Sequence, residues 1–155
     1  MEFRPARSDE AENICDVLRR SISALCGLDH ENNDELLLPW LANKTPENVR
    51  KWIEAPGQLL AVALIGGKLA GVGLVTAKGE IQLNYVSPDF RFRGVSKGMM
   101  RYLEAYLIEH GVTAASLAST ETAREFYKSL GYVASEPQPW RGGKFSYPMR
   151  KELNL

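Results

Sequence analysis

The sequence predicts a mixed α/β fold with a mostly antiparallel central sheet of six to seven strands, flanked by about four helices. Three observations predict it. Residues 59–86 read as three extended runs split by the turn pairs Gly66-Gly67 and Lys78-Gly79, which makes an antiparallel meander. Apolar residues recur at helical spacing over 10–25 and 96–110. Helical and extended patterns alternate after the meander, and the meander itself argues against a purely parallel, doubly wound sheet.

Residues 4–7 form a short first strand. Asp9 and Glu12 have the spacing of a capping box, and Ile14, Val17, Leu18, Ile22 and Leu25 then stripe one helix over 10–25, stopped by Gly27. Residues 27–44 join a polar, acidic stretch to an apolar run and give no single assignment. Thr45-Pro46 opens a short helix with Val49, Trp52 and Ile53 on one face. Strands follow over 59–65, 68–76 and 80–86. In the third, Ile81, Leu83 and Tyr85 alternate with Glu80, Gln82 and Asn84, so the last three share a face. A helix runs over 96–110 with Met99, Leu103, Tyr106 and Leu107 inward. Residues 113–118 are a strand, 120–130 a helix, and 132–134 with 145–151 a last strand pair, joined by the irregular segment 137–143.

At 155 residues, 45% hydrophobic and 25% charged, residues 1–155 read as one domain able to bury a core without staples. The 19 basic and 19 acidic side chains cancel. That balance disfavours nucleic-acid binding and a polybasic membrane anchor. No apolar run is long enough to span a bilayer and no signal segment is visible, so a cytoplasmic protein is expected. Cys15 and Cys26 would lie roughly 16 Å apart along one helix, too far to bridge. With His30 and His110 they make no metal-ligand spacing, so they read as free buried thiols and no metal is expected.

The segment that carries chemistry is 85–99. A strand ends, a basic turn follows, and a helix begins. Free N–H groups at the helix start, the closely approachable Gly94, and Arg91, Arg93 and Lys97 together suit a phosphate. The plain alternative is a solvated basic loop. Neither a P-loop nor GxGxxG is present.

Arg91-Phe92-Arg93-Gly94-Val95-Ser96 resembles the Gln/Arg-x-x-Gly-x-Gly/Ala signature of the GNAT superfamily of acetyl-CoA-dependent N-acetyltransferases, with Ser96 at the last small position. Val86-x-Pro88 resembles the same family, as does Ala123-Arg124-Glu125-Phe126-Tyr127 with Gly131-Tyr132. The resemblance covers roughly 58–135. It implies an acyl-CoA N-acyltransferase-like fold, acetyl-CoA as co-substrate, and direct ternary-complex transfer to a primary amine on a small molecule or peptide. Backbone groups of Asn84, Tyr85 and Val86 would pair with the pantetheine arm, and the Asn84 N–H would polarise the thioester carbonyl. Arg91, Phe92, Arg93, Gly94, Val95, Ser96 and Lys97 would hold the pyrophosphate. Thr120 stands where relatives often carry a cofactor-binding asparagine.

The same resemblance makes Tyr127 the general acid and Glu80, eleven residues before Arg91, the general base. The alternatives are a core aromatic and a solvated hairpin end. Segments 28–44 and 137–143 would wall the acceptor site. There Asp29, Glu31, Asp34 and Glu35 would suit a cationic amine, Trp40 and Trp140 would pack on it, and His30 would be a loop residue. The rival readings are a non-catalytic acyl-CoA-binding or sensing module on the same fold, and an α/β protein whose turn holds another phosphate. Many relatives dimerise, and a homodimer is left open.

Overall fold

The computed structural model describes residues 1–140 and 143–153. Strand β1 (Glu2–Pro5) leads through a 3-10 turn (Ser8–Glu10) into helices α1 (Ala11–Leu25), α2 (Gly27–His30), α3 (Asp34–Leu41) and α4 (Pro46–Glu54). The meander is β2 (Gln58–Ile65), β3 (Lys68–Thr76) and β4 (Ile81–Val86). A second 3-10 turn (Pro88–Phe90) precedes α5 (Val95–Glu109), β5 (Ala114–Ser119), α6 (Arg124–Ser129), β6 (Val133–Ala134), β7 (Gln138–Pro139) and β8 (Phe145–Glu152). The fold is the expected mixed, mostly antiparallel α/β class. Its strand count is higher than expected because two-residue strands edge β8.

The strands make two sheets. β1-β2-β3-β4 is one; β5-β8-β6, with β7 also on β8, is the other. They touch at one parallel bridge, Glu80 to Ser116, where the Ser116 N–H donates to the Gly79 carbonyl at 2.8 Å. Beyond that bridge β4 and β5 part.

Side-chain size decides which helix lies on which face. Leu60, Val62, Val72 and Leu74 pack with Ile14, Leu18 and Val49 on the α1 side. Ala61, Ala63, Gly71 and Gly73 face α5. Small residues there let α5 lie close, with Val95, Met99 and Leu103 seated over the backbone of β3. A third cluster, Ile22, Cys26, Trp40 and Leu41 with Tyr85 and Trp140, joins α1, α3 and the segment before β8.

Four sequence expectations are corrected. The first strand lies two residues earlier, because Phe3 packs under Gly98 of α5 while Arg4 is drawn into a bidentate pair with Glu10, 2.9 and 2.7 Å. The carboxylate returning to the chain before α1 is that of Glu10, accepting the Arg7 N–H at 2.8 Å; Glu12 instead reaches Arg50. The helix expected over 120–130 forms only from Arg124, because the N–H and hydroxyl of Thr122 are bound to Asp29. The irregular connection contains β7; of its residues, Arg141 and Gly142 lie outside those described.

Candidate active site

A cleft of about 430 Å³ opens where β4 and β5 part. Its mouth is the turn before α5. Gly94 precedes the helix with φ 78°, a left-handed conformation that costs glycine nothing and frees the first N–H groups of α5. No acidic side chain occupies that first turn. Arg91, Phe92 and Lys97 are exposed there, and Ser96 is half-buried. Phe92 adopts φ 61° and is 92% exposed, with the Arg91 guanidinium 4.7 Å above its ring.

The cleft runs inward along β4. The Ser87 N–H donates to the Ala70 carbonyl at 2.8 Å. By alternation along the strand, Tyr85 and Leu83 also turn their backbone groups to β3, and Asn84 and Val86 turn theirs to the gap. Thr120, Ser119 and Leu117 form the opposite wall, and Tyr127 closes the inner end. The Tyr127 hydroxyl accepts from Asn84 Nδ2 at 3.5 Å, and burial pushes the phenol up to about 12. Asn84 Oδ1 is buried without a partner among the described residues. A cleft with backbone groups turned inward, a bare buried acceptor and a basic, glycine-led helix start fits a long ligand with a phosphate at one end and polar amides along its length.

Asn84, Tyr85, Val86, Arg91, Phe92, Gly94, Val95, Ser96, Lys97, Thr120 and Tyr127 all line this cleft. Arg93 is exposed on the same turn but outside the lining. Glu80 is not in the cleft. The β3–β4 register pairs Leu74 with Leu83 but Val75 with Ile81, so Gln82 is an extra, bulged residue. The bulge reverses the alternation. Ile81 joins the α5-side core while Leu83 joins the α1-side core. Asn84 therefore faces the α5 side with Tyr127, and Glu80 and Gln82 face the other. The expectation that all three share a face is corrected. Glu80 and Gln82 line a separate groove of about 650 Å³ over β5 and β8. Cleft and groove meet at Ile81, Gln82, Leu117 and Ala118, which line both.

Two residues of the acidic run are put to other uses, and Asp34 and Glu35 are exposed. Asp29 is 2% exposed and holds Thr122. Glu31 pairs with Lys144 at 2.5 Å. Trp40 and Trp140 pack edge to face on each other at 4.9 Å. His30 is a fully buried member of α2, not a loop residue: Nε2 lies 2.8 Å from the Ile22 carbonyl and Nδ1 accepts from the Asn32 N–H, which assigns the neutral Nε2–H tautomer. Both cysteines are free and buried, and burial pushes the Cys26 thiol up to about 12. Sequence reasoning missed the side-chain role of Asn84 and the tie from Asp29 to Thr122. Neither has a local pattern, since each joins positions far apart in the chain.

No helix among the described residues is long and apolar enough to cross a membrane. The fold is shared with solved structures. A GCN5-related N-acetyltransferase from Rhodopseudomonas palustris is 24% identical, with 98% of this chain and 95% of that one covered and a TM-score of 0.87. PaiA N-acetyltransferase from Thermoplasma acidophilum, solved in complex with coenzyme A, is 17% identical over 97% and 98% of the two chains, with a TM-score of 0.78. YncA from Salmonella typhimurium, solved with its cofactor acetyl-CoA, is 16% identical over 100% and 95%, with a TM-score of 0.75. Residues 30–153 match the family model of the Acetyltransferase (GNAT) domain, and with the parted sheets and the basic turn already in place, the chain belongs to that family.

Proposed function

We propose that residues 1–155 serve one activity: transfer of an acetyl group from acetyl-CoA to the nitrogen of an amine by direct attack in a ternary complex. The observation that carries this reading is the parting of β4 from β5, which leaves a cleft running from the turn at Gly94 to the hydroxyl of Tyr127. Acetyl-CoA would supply the acyl group as an activated thioester. The α5 N-terminus, Arg91 and Lys97 hold its pyrophosphate, and the inward backbone groups of Asn84 and Val86 hold its pantetheine arm. The Asn84 N–H, turned to the gap, would stabilise charge on the thioester oxygen.

The bulge at Gln82 gives acid and base opposite stations. Glu80 faces the groove and takes a proton from the incoming ammonium, directly or through water, so that the nitrogen lone pair can form the new N–C bond. Tyr127 stands on the other side, where the C–S bond breaks. Its hydroxyl accepts from Asn84, so its own proton is free for sulfur. At about 12 the phenol is a far weaker acid than a thiol with its ordinary value of ~8.5, so Tyr127 serves the departing sulfur chiefly as a hydrogen-bond donor, and the thiolate takes up the second proton that the nitrogen sheds as the amide forms.

The test is acetyl-CoA consumption over an amine panel for wild type, Glu80→Gln and Tyr127→Phe. Loss of roughly 10²-fold or more in kcat is expected for Glu80→Gln, and roughly tenfold to a hundredfold for Tyr127→Phe. Coenzyme A binding without turnover of any amine would replace this reading with a non-catalytic binding module. Thermal stabilisation by ATP but not by coenzyme A would dismiss both.

A further inference from the structure

We propose that the groove beside Glu80 receives an amine that also bears a carboxylate, an α-amino acid, with Glu80 at its ammonium and Arg150 at its carboxylate. The inference rests on the transferase reading and names its acceptor class. Residues paired across neighbouring strands share a face. Glu80 pairs with Ser116, Ser116 with Arg150, and Arg150 with Val133. These four side chains therefore form one row across β4, β5, β8 and β6. Gln82, Ala118 and Pro148 lie one step along the same face.

Glu80 and Arg150 are the only charged residues lining the groove among those described. They stand two strands apart, about 10 Å between Cα atoms. Two charged contacts of about 2.9 Å, with the ~3 Å from nitrogen to carboxylate oxygen of an α-amino acid between them, span about 9 Å. A zwitterion of that length fits along the row once the Glu80 carboxylate, which accepts from Gln82 Nε2 at 3.4 Å, turns toward β5. Glu152 accepts from Arg150 Nε at 3.0 Å and holds the guanidinium from its inner side. The two terminal nitrogens make no hydrogen bond among the described residues and form a fork suited to a carboxylate. Val133, Ala118 and Pro148 offer an apolar bed for a side chain.

The experiment compares an α-amino acid with its C-terminal amide as acceptors, in steady state, for wild type, Arg150→Gln and Arg150→Lys. Wild type should favour the carboxylate by tenfold or more in kcat/KM. Arg150→Gln should bring that ratio toward one through KM, and Arg150→Lys should restore part of it. A wild-type ratio at or below one, or a ratio unmoved in Arg150→Gln, overturns the proposal and leaves the transferase intact. If no amine is turned over, the transferase reading falls, and calorimetric titration of the amino acid into wild type and Arg150→Gln still reads the groove: equal affinity or none in both overturns the proposal.

Discussion

Asp29 and Thr122, 93 positions apart, are joined twice: the Thr122 N–H donates to Oδ1 at 3.2 Å and the Thr122 hydroxyl to Oδ2. The contact ties α2 to the turn between β5 and α6, and so spans the two sides of the cleft. Asp29 is buried and Thr122 lies at the surface, so the pair is part-buried, and hydrogen bonds to a carboxylate contribute more than neutral surface ones. A double-mutant cycle of Asp29→Asn and Thr122→Val in urea should show a coupling of about 1–3 kcal/mol. Additive losses would mean that the two side chains stabilise the fold separately.

Phe92 sits in the left-handed region at φ 61° with its ring almost wholly in solvent. A side chain there is strained by roughly 1–2 kcal/mol, and an exposed ring recovers little by packing. Phe92→Gly should therefore raise the free energy of unfolding in urea, by about 1 kcal/mol after the added entropy of the unfolded glycine is set against the relief, and move the midpoint upward. A lower midpoint would show that the stacking of Arg91 on the ring outweighs the strain.

Much of the fold was legible because it is written locally. The helix stripes of α1 and α5 and the glycine turns of the meander each declare themselves within a dozen residues. The turn at Gly94 and the motif around Tyr127 were legible for the same reason. The placement of Glu80 was not. Its face depends on one extra residue, Gln82, in a register set by β3, and a period-two reading carries the alternation through unbroken. The acidic run misled similarly. A tally of like charges over 29–35 cannot say that Asp29 is committed to Thr122 and Glu31 to Lys144.

Alkaline pH should unfold the protein early. Burial pushes Tyr127 from its ordinary 10 up to about 12, Cys26 from 9 up to about 12, and Tyr85 and Tyr132 upward too. Each folded-state value lies above the unfolded one. The stability these groups contribute is thus fully present below pH 9 and is lost as pH climbs from there through 12. The rise of Tyr127 from 10 to about 12 alone corresponds to about 2–3 kcal/mol. Melting temperature should fall steeply across that window, and less steeply in Tyr127→Phe. A flat profile up to pH 11 would contradict the burial of these groups.

Gly71 links packing to the cleft. A Cβ there would lie 2.6 Å from Val95 Cγ1 and 3.2 Å from the Tyr85 carbonyl oxygen. The carbonyl is held in the β3–β4 ladder, so the strain falls on Val95, the first residue of α5. Gly71→Ala should cost about 1–3 kcal/mol of stability by overpacking. It should also weaken coenzyme A binding several-fold, because the N–H groups proposed to hold the pyrophosphate belong to the turn that Val95 begins. Gly27→Ala is the control: a Cβ at that position meets nothing within 4 Å. Its stability and its affinity should both stay close to wild type. If Gly71→Ala lost stability but bound coenzyme A as tightly as Gly27→Ala does, the start of α5 would not be the phosphate site.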